Sequence, residues 1–345
     1  MSLQPRLSGQ STAWLKTAPL ARKNDTRSFS WSMQLSCVLL PVHAESYATL
    51  RQLCYSKWRA PWEGLTMNVG FIGIGSMGSL LIDAFIGSGA LDPMQITASN
   101  RTFAKAESMA HRYPGLRAVH ANKEAAAGSD IVFLCIKPHE YRTVIHDLQT
   151  VLQPHQIIVS ITSPVMIAQL EDWLPCKIAK VIPSITNYVC CGATLCMFGE
   201  RMEKADRERL NSLLAYISEP LHINERHTRI VSDLSSCGPA FLALVLQKFV
   251  DAAVEETGIA REEALAIAST MLTGTGHLLT EGGMTPEQLQ ARVSVPGGIT
   301  AQALTLLNSE IDGVFNAVIR TTHAKYREDL AKVNVSLYGE EVNGS

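Results

Sequence analysis

Metal-site spacing is the first thing this sequence lacks. Its eight cysteines are Cys37, Cys54, Cys135, Cys176, Cys190, Cys191, Cys196 and Cys237, and no two of them form C-x-x-C. No histidine pair accompanies the Cys190, Cys191, Cys196 group. Zinc sites carry such signatures, so no metal is expected, and buried thiols in a reducing cytosol are the reading instead. An excess of charge of one sign is missing too: Lys+Arg 30 against Asp+Glu 32 leaves a net charge of −2. Broad nucleic-acid binding needs a basic face and is excluded, whereas a local basic pocket for a phosphate is not. No apolar run approaches the ~20 residues of a membrane helix. The best short run, Leu35 to Val42, lies too far from the N-terminus for a signal peptide. The expectation is a cytoplasmic protein with no membrane and no nucleic-acid partner.

A chain of 345 residues is long enough for two domains with separate cores. Residues 1–66 differ from the rest. They hold Trp14, Trp31, Trp58 and Trp62, scattered Ser and Arg, and neither alternation nor a helical period. Three readings compete: an organelle transit peptide, a real appendage, or upstream sequence translated from a start assigned too early. Met67 immediately precedes a strand, which favours the last. The segment is expected to be poorly ordered or loosely docked.

From Met67 the pattern becomes regular. Strands are expected at Asn68 to Gly73, Gln95 to Ser99, Arg117 to His120, Asp130 to Ile136, Gln156 to Ile161 and Lys177 to Ile182. Helices are expected between them at Ser76 to Ser88, Thr102 to Arg112 and Pro138 to Leu152. Ala193 to Phe198 adds a later strand and Glu203 to Ile217 a helix. Such alternation predicts a doubly wound parallel sheet. After about Asn224 the strands stop, and helices are expected at Pro239 to Thr257, Glu262 to Thr280, Pro286 to Arg292, Thr300 to Leu307 and Asp312 to Val333. The fold class is therefore α/β: an N-terminal Rossmann-like sheet at 67–228, then an all-α dimerisation and substrate domain at 229–335, with a tail at 336–345. The late helices are apolar around much of their circumference, which predicts burial against a second subunit.

Gly73-Ile74-Gly75-Ser76-Met77-Gly78 matches G-x-G-x-x-G. The motif is weak alone, but here it follows a strand and opens a helix. Gly73 permits the tight turn, Gly75 lets backbone approach a pyrophosphate, and Gly78 lets the helix pack on the sheet. The end of the second strand reads Ser99-Asn100-Arg101-Thr102, with no acid for a ribose hydroxyl pair. Asn100, Arg101 and Thr102 suit a 2′-phosphate, so NADP(H) is the expected cofactor. Asn100 or Thr102 also fits as a cap of the next helix. Lys137-Pro138 ends the fourth strand, where ligands bind, although a lysine at a helix start is also an ordinary solvated residue.

These residues resemble the pyrroline-5-carboxylate reductase family over Met67 to about Leu330. The resemblance rests on Gly73 to Gly78, Asn100-Arg101, Lys137-Pro138, Ser236-Cys237-Gly238-Pro239-Ala240-Phe241 and Val295-Pro296-Gly297-Gly298-Ile299-Thr300, in the family's order and spacing. Three motifs depart from the family pattern. The family's M-P-N-T-P is Ile182-Pro183-Ser184-Ile185-Thr186, its G-S-G-P is Ser236-Cys237-Gly238-Pro239, and its S-P-G-G serine is Val295. These departures look like the divergent branch called late competence protein ComER.

The resemblance implies NADPH-dependent reduction of a cyclic imine, 1-pyrroline-5-carboxylate to L-proline, by a homodimer or a higher oligomer built from dimers. It implies that Thr300 hydrogen-bonds the imine nitrogen as the catalytic residue, that Gly297 and Gly298 hold the carboxylate, and that Ser232 supplies a substrate-side hydroxyl. From the residues alone, Thr300 also fits as a helix N-cap and Ser232 as a helix-terminal serine. The family serine lies near the substrate carboxylate, and Val295 cannot donate a hydrogen bond there. His277 reads as a packed or surface histidine. Lys248 has Ala252 one turn on, where hydroxyacid dehydrogenases carry asparagine, so a carbonyl or hydroxyacid reductase is disfavoured. The remaining alternative is an NADP-binding regulatory protein that has lost catalysis.

Overall fold

The structure, a computed structural model, describes residues 67–339. The expectations for residues 1–66 lie outside the described residues. In chain order the strands are β1 (Val69–Ile72), β2 (Ile96–Ser99), β3 (Arg117–Val119), β4 (Ile131–Leu134), β5 (Ile157–Ser160), β6 (Lys177–Ile182), β7 (Ala193–Phe198) and β8 (Glu219–His222). They form one sheet in the order β3-β2-β1-β4-β5-β6-β7-β8. Strands β1 to β6 run parallel, β7 is antiparallel to β6, and β8 is parallel to β7. The helices of this half are α1 (Ser76–Ser88), α2 (Phe103–Arg112), α3 (Asn122–Ala127), α4 (Tyr141–Leu148), α5 (Ile167–Trp173) and α6 (Lys204–Ala215). The sequence reading missed α3, α5 and β8, which are short and carry little periodicity. It also ran α4 too long, because a 3₁₀ turn at Pro138–Glu140 precedes the helix.

Central strands covered on both faces are mostly apolar, and β1, β4 and β5 are buried at every residue, with Ser160 at the end of β5 the polar exception among them. On one face Phe71 of β1 stacks on Phe133 of β4, with ring centroids 5.1 Å apart, and Phe85 of α1 packs beside both. On the other face Ile72, Leu134, Tyr141 and Ile145 form a second core.

The helical half comprises α7 (Thr228–Ser232), α8 (Gly238–Thr257), α9 (Arg261–Leu279), α10 (Pro286–Val293), α11 (Ile299–Ile311) and α12 (Val314–Tyr338). A π-helical turn, Asp233–Cys237, joins α7 to α8. The expected tail start is corrected: α12 runs on to Tyr338, and its Val333 and Leu337 are buried in the second core of the sheet. That apolar anchorage extends the helix beyond Val333, where sequence periodicity placed its end.

The helical half leaves large apolar side chains exposed, among them Leu242, Leu244, Val245 and Phe249 on α8, Ile267 and Met271 on α9, and Leu306 on α11. Within this half no uninterrupted apolar run approaches the ~20 residues of a membrane helix. Glu225–Thr257 is continuous and apolar enough, by length and composition alone, to cross a bilayer. Lys248 and Asp251 interrupt its apolar stretch.

Candidate functional site

Strand order reverses between β1 and β4: from β1 the chain winds outward through β2 and β3, then returns to β4 on the other side. A doubly wound sheet opens a ligand crevice at this switch point, outside the carboxyl ends of the strands. The turn from β1 into α1 lies there. Gly73 has φ +100°, and a side chain on it would run into the Cys135 carbonyl; one on Gly78 would run into the Gly73 carbonyl. These two glycines seat the turn against β4 and bring α1 close to the sheet. Gly75 differs, because a Cβ there would meet nothing within 4 Å. It faces open space at the N-cap of α1, and no side chain caps the helix. Gly75 and Ser76 are exposed and Met77 half-buried. An uncapped helix start with open backbone fits a dinucleotide diphosphate, since its free N–H groups meet negative charge.

The turn is braced from β2. Gly73 N donates to Ser99 O at 2.9 Å, and Ile74 N donates to the Asn100 side-chain oxygen at 2.8 Å. The other end of the Asn100 amide donates to Thr102 O at 2.9 Å. Asn100 thus shapes the turn, with its oxygen and one amide proton already engaged. Thr102 occupies the N-cap position of α2, but its hydroxyl caps nothing and stays exposed. Arg101 is 84% exposed at its side chain and extends across the crevice to Glu140, Nη1 to Oε1 2.7 Å. Glu140 is fixed in turn, because its Oε2 accepts from Lys137 N at 3.0 Å. Lys137 is exposed, and Pro138 opens the 3₁₀ turn beside it. Cys135, under the glycine turn, has its thiol pushed well above its ordinary range by burial and stays protonated.

The second group of expected residues lies in the helical half. The π-helical turn spans the Ser236-Cys237 segment, and π turns often mark functional positions. It is tied to the loop after β6: Ser184 Oγ donates to Ser235 O at 3.0 Å, and Ser236 Oγ donates to Pro183 O at 2.8 Å. Asp233, 4% exposed, pairs with Arg229 at 2.7 Å and accepts from Thr322 Oγ1 at 2.7 Å. Sequence reading missed this pair, although the i,i+4 spacing is a visible signal. Ser232 is 3% exposed and donates to Thr228 O at 2.6 Å. Within one chain its hydroxyl is enclosed by its own helix, which is the helix-terminal alternative.

Gly298, not Thr300, is the N-cap of α11, and Gly297 before it has φ +73°. Thr300 is the second residue of the helix and half-buried, so the capping alternative does not hold for it. Val295 is 66% exposed at the head of this segment. Among the described residues no hydrogen bond links Gly297, Gly298 or Thr300 to the Ser232–Cys237 turn of the same chain. No group of three or more His, Cys, Asp or Glu that could hold a metal ion occurs among the described residues.

Comparison with known proteins bears on this arrangement. The family model described as pyrroline-5-carboxylate reductase dimerisation matches residues 225–329, and that described as NADP oxidoreductase coenzyme F420-dependent matches 68–164. ComE operon protein 4 of Bacillus subtilis (strain 168) is 39% identical over 267 residues, covering 77% of this chain and 98% of that protein. Pyrroline-5-carboxylate reductase 2 of Bos taurus is 30% identical over 279 residues, covering 78% of this chain and 87% of that protein. The chain belongs to the pyrroline-5-carboxylate reductase family. A solved pyrroline-5-carboxylate reductase from Coxiella burnetii superposes with a TM-score of 0.70 at 25% identity, covering 77% of this chain and 99% of that one. The fold of this family therefore holds here in both halves, with a Rossmann-like sheet followed by helices.

Proposed function

We propose that this member of the family uses NADPH to reduce a cyclic imine, 1-pyrroline-5-carboxylate, to L-proline. The observation that carries the reading is the open Gly75 turn with Arg101 beside it. The open backbone fits a diphosphate, and a cation after β2 in place of an acid fits a 2′-phosphate. A solved pyrroline carboxylate reductase of Plasmodium falciparum is described with NADP bound, at 22% identity, and carries the likeness of fold.

When bound, NADPH supplies a hydride to the imine carbon, and the imine nitrogen keeps its proton. The residues of this chain position and hold. The Thr300 hydroxyl, half-buried and one residue into α11, accepts from the protonated nitrogen. Gly297 and the first turn of α11 offer backbone N–H groups to the carboxylate at a helix start, whereas Gly298 N already donates to Val295 O at 2.9 Å. The Ser236–Pro183 and Ser184–Ser235 hydrogen bonds fix the segment that faces the ring. Orientation of this kind lowers a barrier by up to about 10 kcal/mol.

Residues 67–228 bind cofactor on this reading, and residues 229–335 assemble the protein and complete the substrate site. A second copy of the chain covers the apolar faces of α8, α9 and α11, since monomeric proteins rarely leave many large apolar side chains exposed together. The match to a dimerisation family model over 225–329 supports this over a bilayer as the cover of Glu225–Thr257. The dimer brings a partner's Pro296–Thr300 segment toward the Ser232–Gly238 turn. A cytoplasmic location belongs to the same reading, in keeping with buried thiols at Cys176 and Cys196.

One observation favours a second reading, a cofactor-binding regulatory protein without turnover. Val295, 66% exposed, supplies no hydrogen-bond donor where substrate-side polarity is expected. Complementation of a proline auxotroph separates the two. Growth with the wild-type gene and none with Gly75→Val supports the reductase; no growth from a well-expressed, folded wild type supports the regulator.

A further inference from the structure

Glu140 has no part in the reaction above, yet it sits at a position that affects which cofactor binds. β2 and β4 flank β1 on opposite sides, so an ion pair between the turns that follow them spans the carboxyl end of β1 and its glycine turn. Arg101 and Glu140 form that pair at 2.7 Å. Of the two, Glu140 is the anchored member. It is 24% exposed against 84% for Arg101, and its second oxygen is held by the Lys137 backbone N–H. Within the Ser99-Asn100-Arg101-Thr102 turn Arg101 alone carries charge, so it is the cation the turn offers a phosphate.

We propose that Glu140 is a specificity-determining residue that moderates the preference for NADPH over NADH by holding and neutralising Arg101. This rests on the reading that the crevice binds NADP(H). A guanidinium paired with a carboxylate presents little net charge to a 2′-phosphate, and the carboxylate itself repels the phosphate. NADH has hydroxyls there and meets neither effect. The pair is solvated and contributes little to stability, so its removal leaves the fold intact. Glu140→Gln keeps an oxygen for the Lys137 N–H and removes the charge.

The test is a titration of the full-length protein with NADPH and, separately, NADH, followed by reduced-nicotinamide fluorescence at low and high salt. Wild type, Glu140→Gln, Arg101→Ala and the double variant are compared. Glu140→Gln is expected to bind NADPH about three- to tenfold more tightly with NADH affinity unchanged, and the gain shrinks at high salt. Arg101→Ala weakens NADPH alone, and adding Glu140→Gln to it restores only part of the loss. An unchanged or reduced NADPH-to-NADH preference in Glu140→Gln overturns the assignment of Glu140 and leaves the cofactor reading standing. A wild type that binds neither cofactor removes both.

Discussion

The Lys180 ammonium lies 2.6 Å from Glu225 Oε1, at the junction of the sheet with the helical half. Lys180 is fully buried on β6, and its Nζ also donates to Ser163 O at 3.1 Å. Glu225 accepts from Ile167 N at 2.9 Å as well. Tyr326 of α12 donates to the same Ser163 carbonyl at 3.2 Å, so one loop after β5 is held from both sides of the junction. A buried cation needs its partner more than the partner needs it. Glu225→Ala is therefore expected to cost about 2–4 kcal/mol in urea unfolding, and Lys180→Met less.

The same pair predicts a pH dependence. Burial pushes the Lys180 amine below its ordinary 10.5, and the Glu225 carboxylate offsets part of that shift. Between the lowered native value and 10.5 the unfolded chain binds more protons than the native one. Stability from this group therefore rises with pH through that window, is complete above it, and is lost as pH falls through the native value. The wild type is expected to gain stability relative to Lys180→Met as pH is raised toward 10.5 in parallel denaturant titrations. A constant difference contradicts it.

Gly75 and Gly78 separate binding from folding. A Cβ at Gly78 collides with the Gly73 carbonyl, so Gly78→Ala is expected to lose stability by about 1–3 kcal/mol or more. A Cβ at Gly75 meets nothing within 4 Å, and its φ of −86° suits any residue. Gly75→Val is expected to fold, with Tm lowered only slightly because valine is a poorer N-cap than glycine, and to lose NADPH binding by at least about tenfold in calorimetric titration.

The substrate side is tested at the head of α11. Thr300→Val is expected to reduce kcat by about 10- to 100-fold with KM for NADPH unchanged, since one hydrogen bond to a charged group is removed. Val295→Ser restores a donor beside Gly297 and is expected to lower KM for the imine acid by about threefold or more.

Phe249, 63% exposed on α8, belongs to the surface assigned to a second copy. Phe249→Asp places a charge in that contact and is expected to weaken association by about 2 kcal/mol or more. Light scattering reads it as a shift from dimer to monomer. A monomeric wild type at micromolar concentration contradicts the assignment.

The parts of this fold most legible in sequence are those whose pattern is forced by burial. β1, β4 and β5 are buried on both faces and almost wholly apolar, and Gly73 and Gly78 sit where a Cβ would collide with backbone. Short elements without a period escaped: α3 reads NKEAAA and β8 reads EPLH, with Pro220 and mostly solvent-facing residues. The site was legible where backbone geometry dictates the residue, and less so where partners come from far along the chain. The motif places Asn100 at the cofactor turn, but that its side-chain oxygen accepts from Ile74 N, 26 residues away, is visible only in the fold. For Ser232 the sequence leaves a substrate-side and a helix-terminal reading open, and within one chain its hydroxyl donates to its own helix at Thr228 O. Glu140 carries no motif; only the fold brings it to Arg101.

The most direct test mixes the purified full-length protein with NADPH and 1-pyrroline-5-carboxylate, following loss of reduced-cofactor absorbance and assaying for proline. Proline formed in step with oxidised cofactor, and lost in Gly75→Val, is the predicted result. A folded wild type that neither binds NADPH nor yields proline contradicts the account.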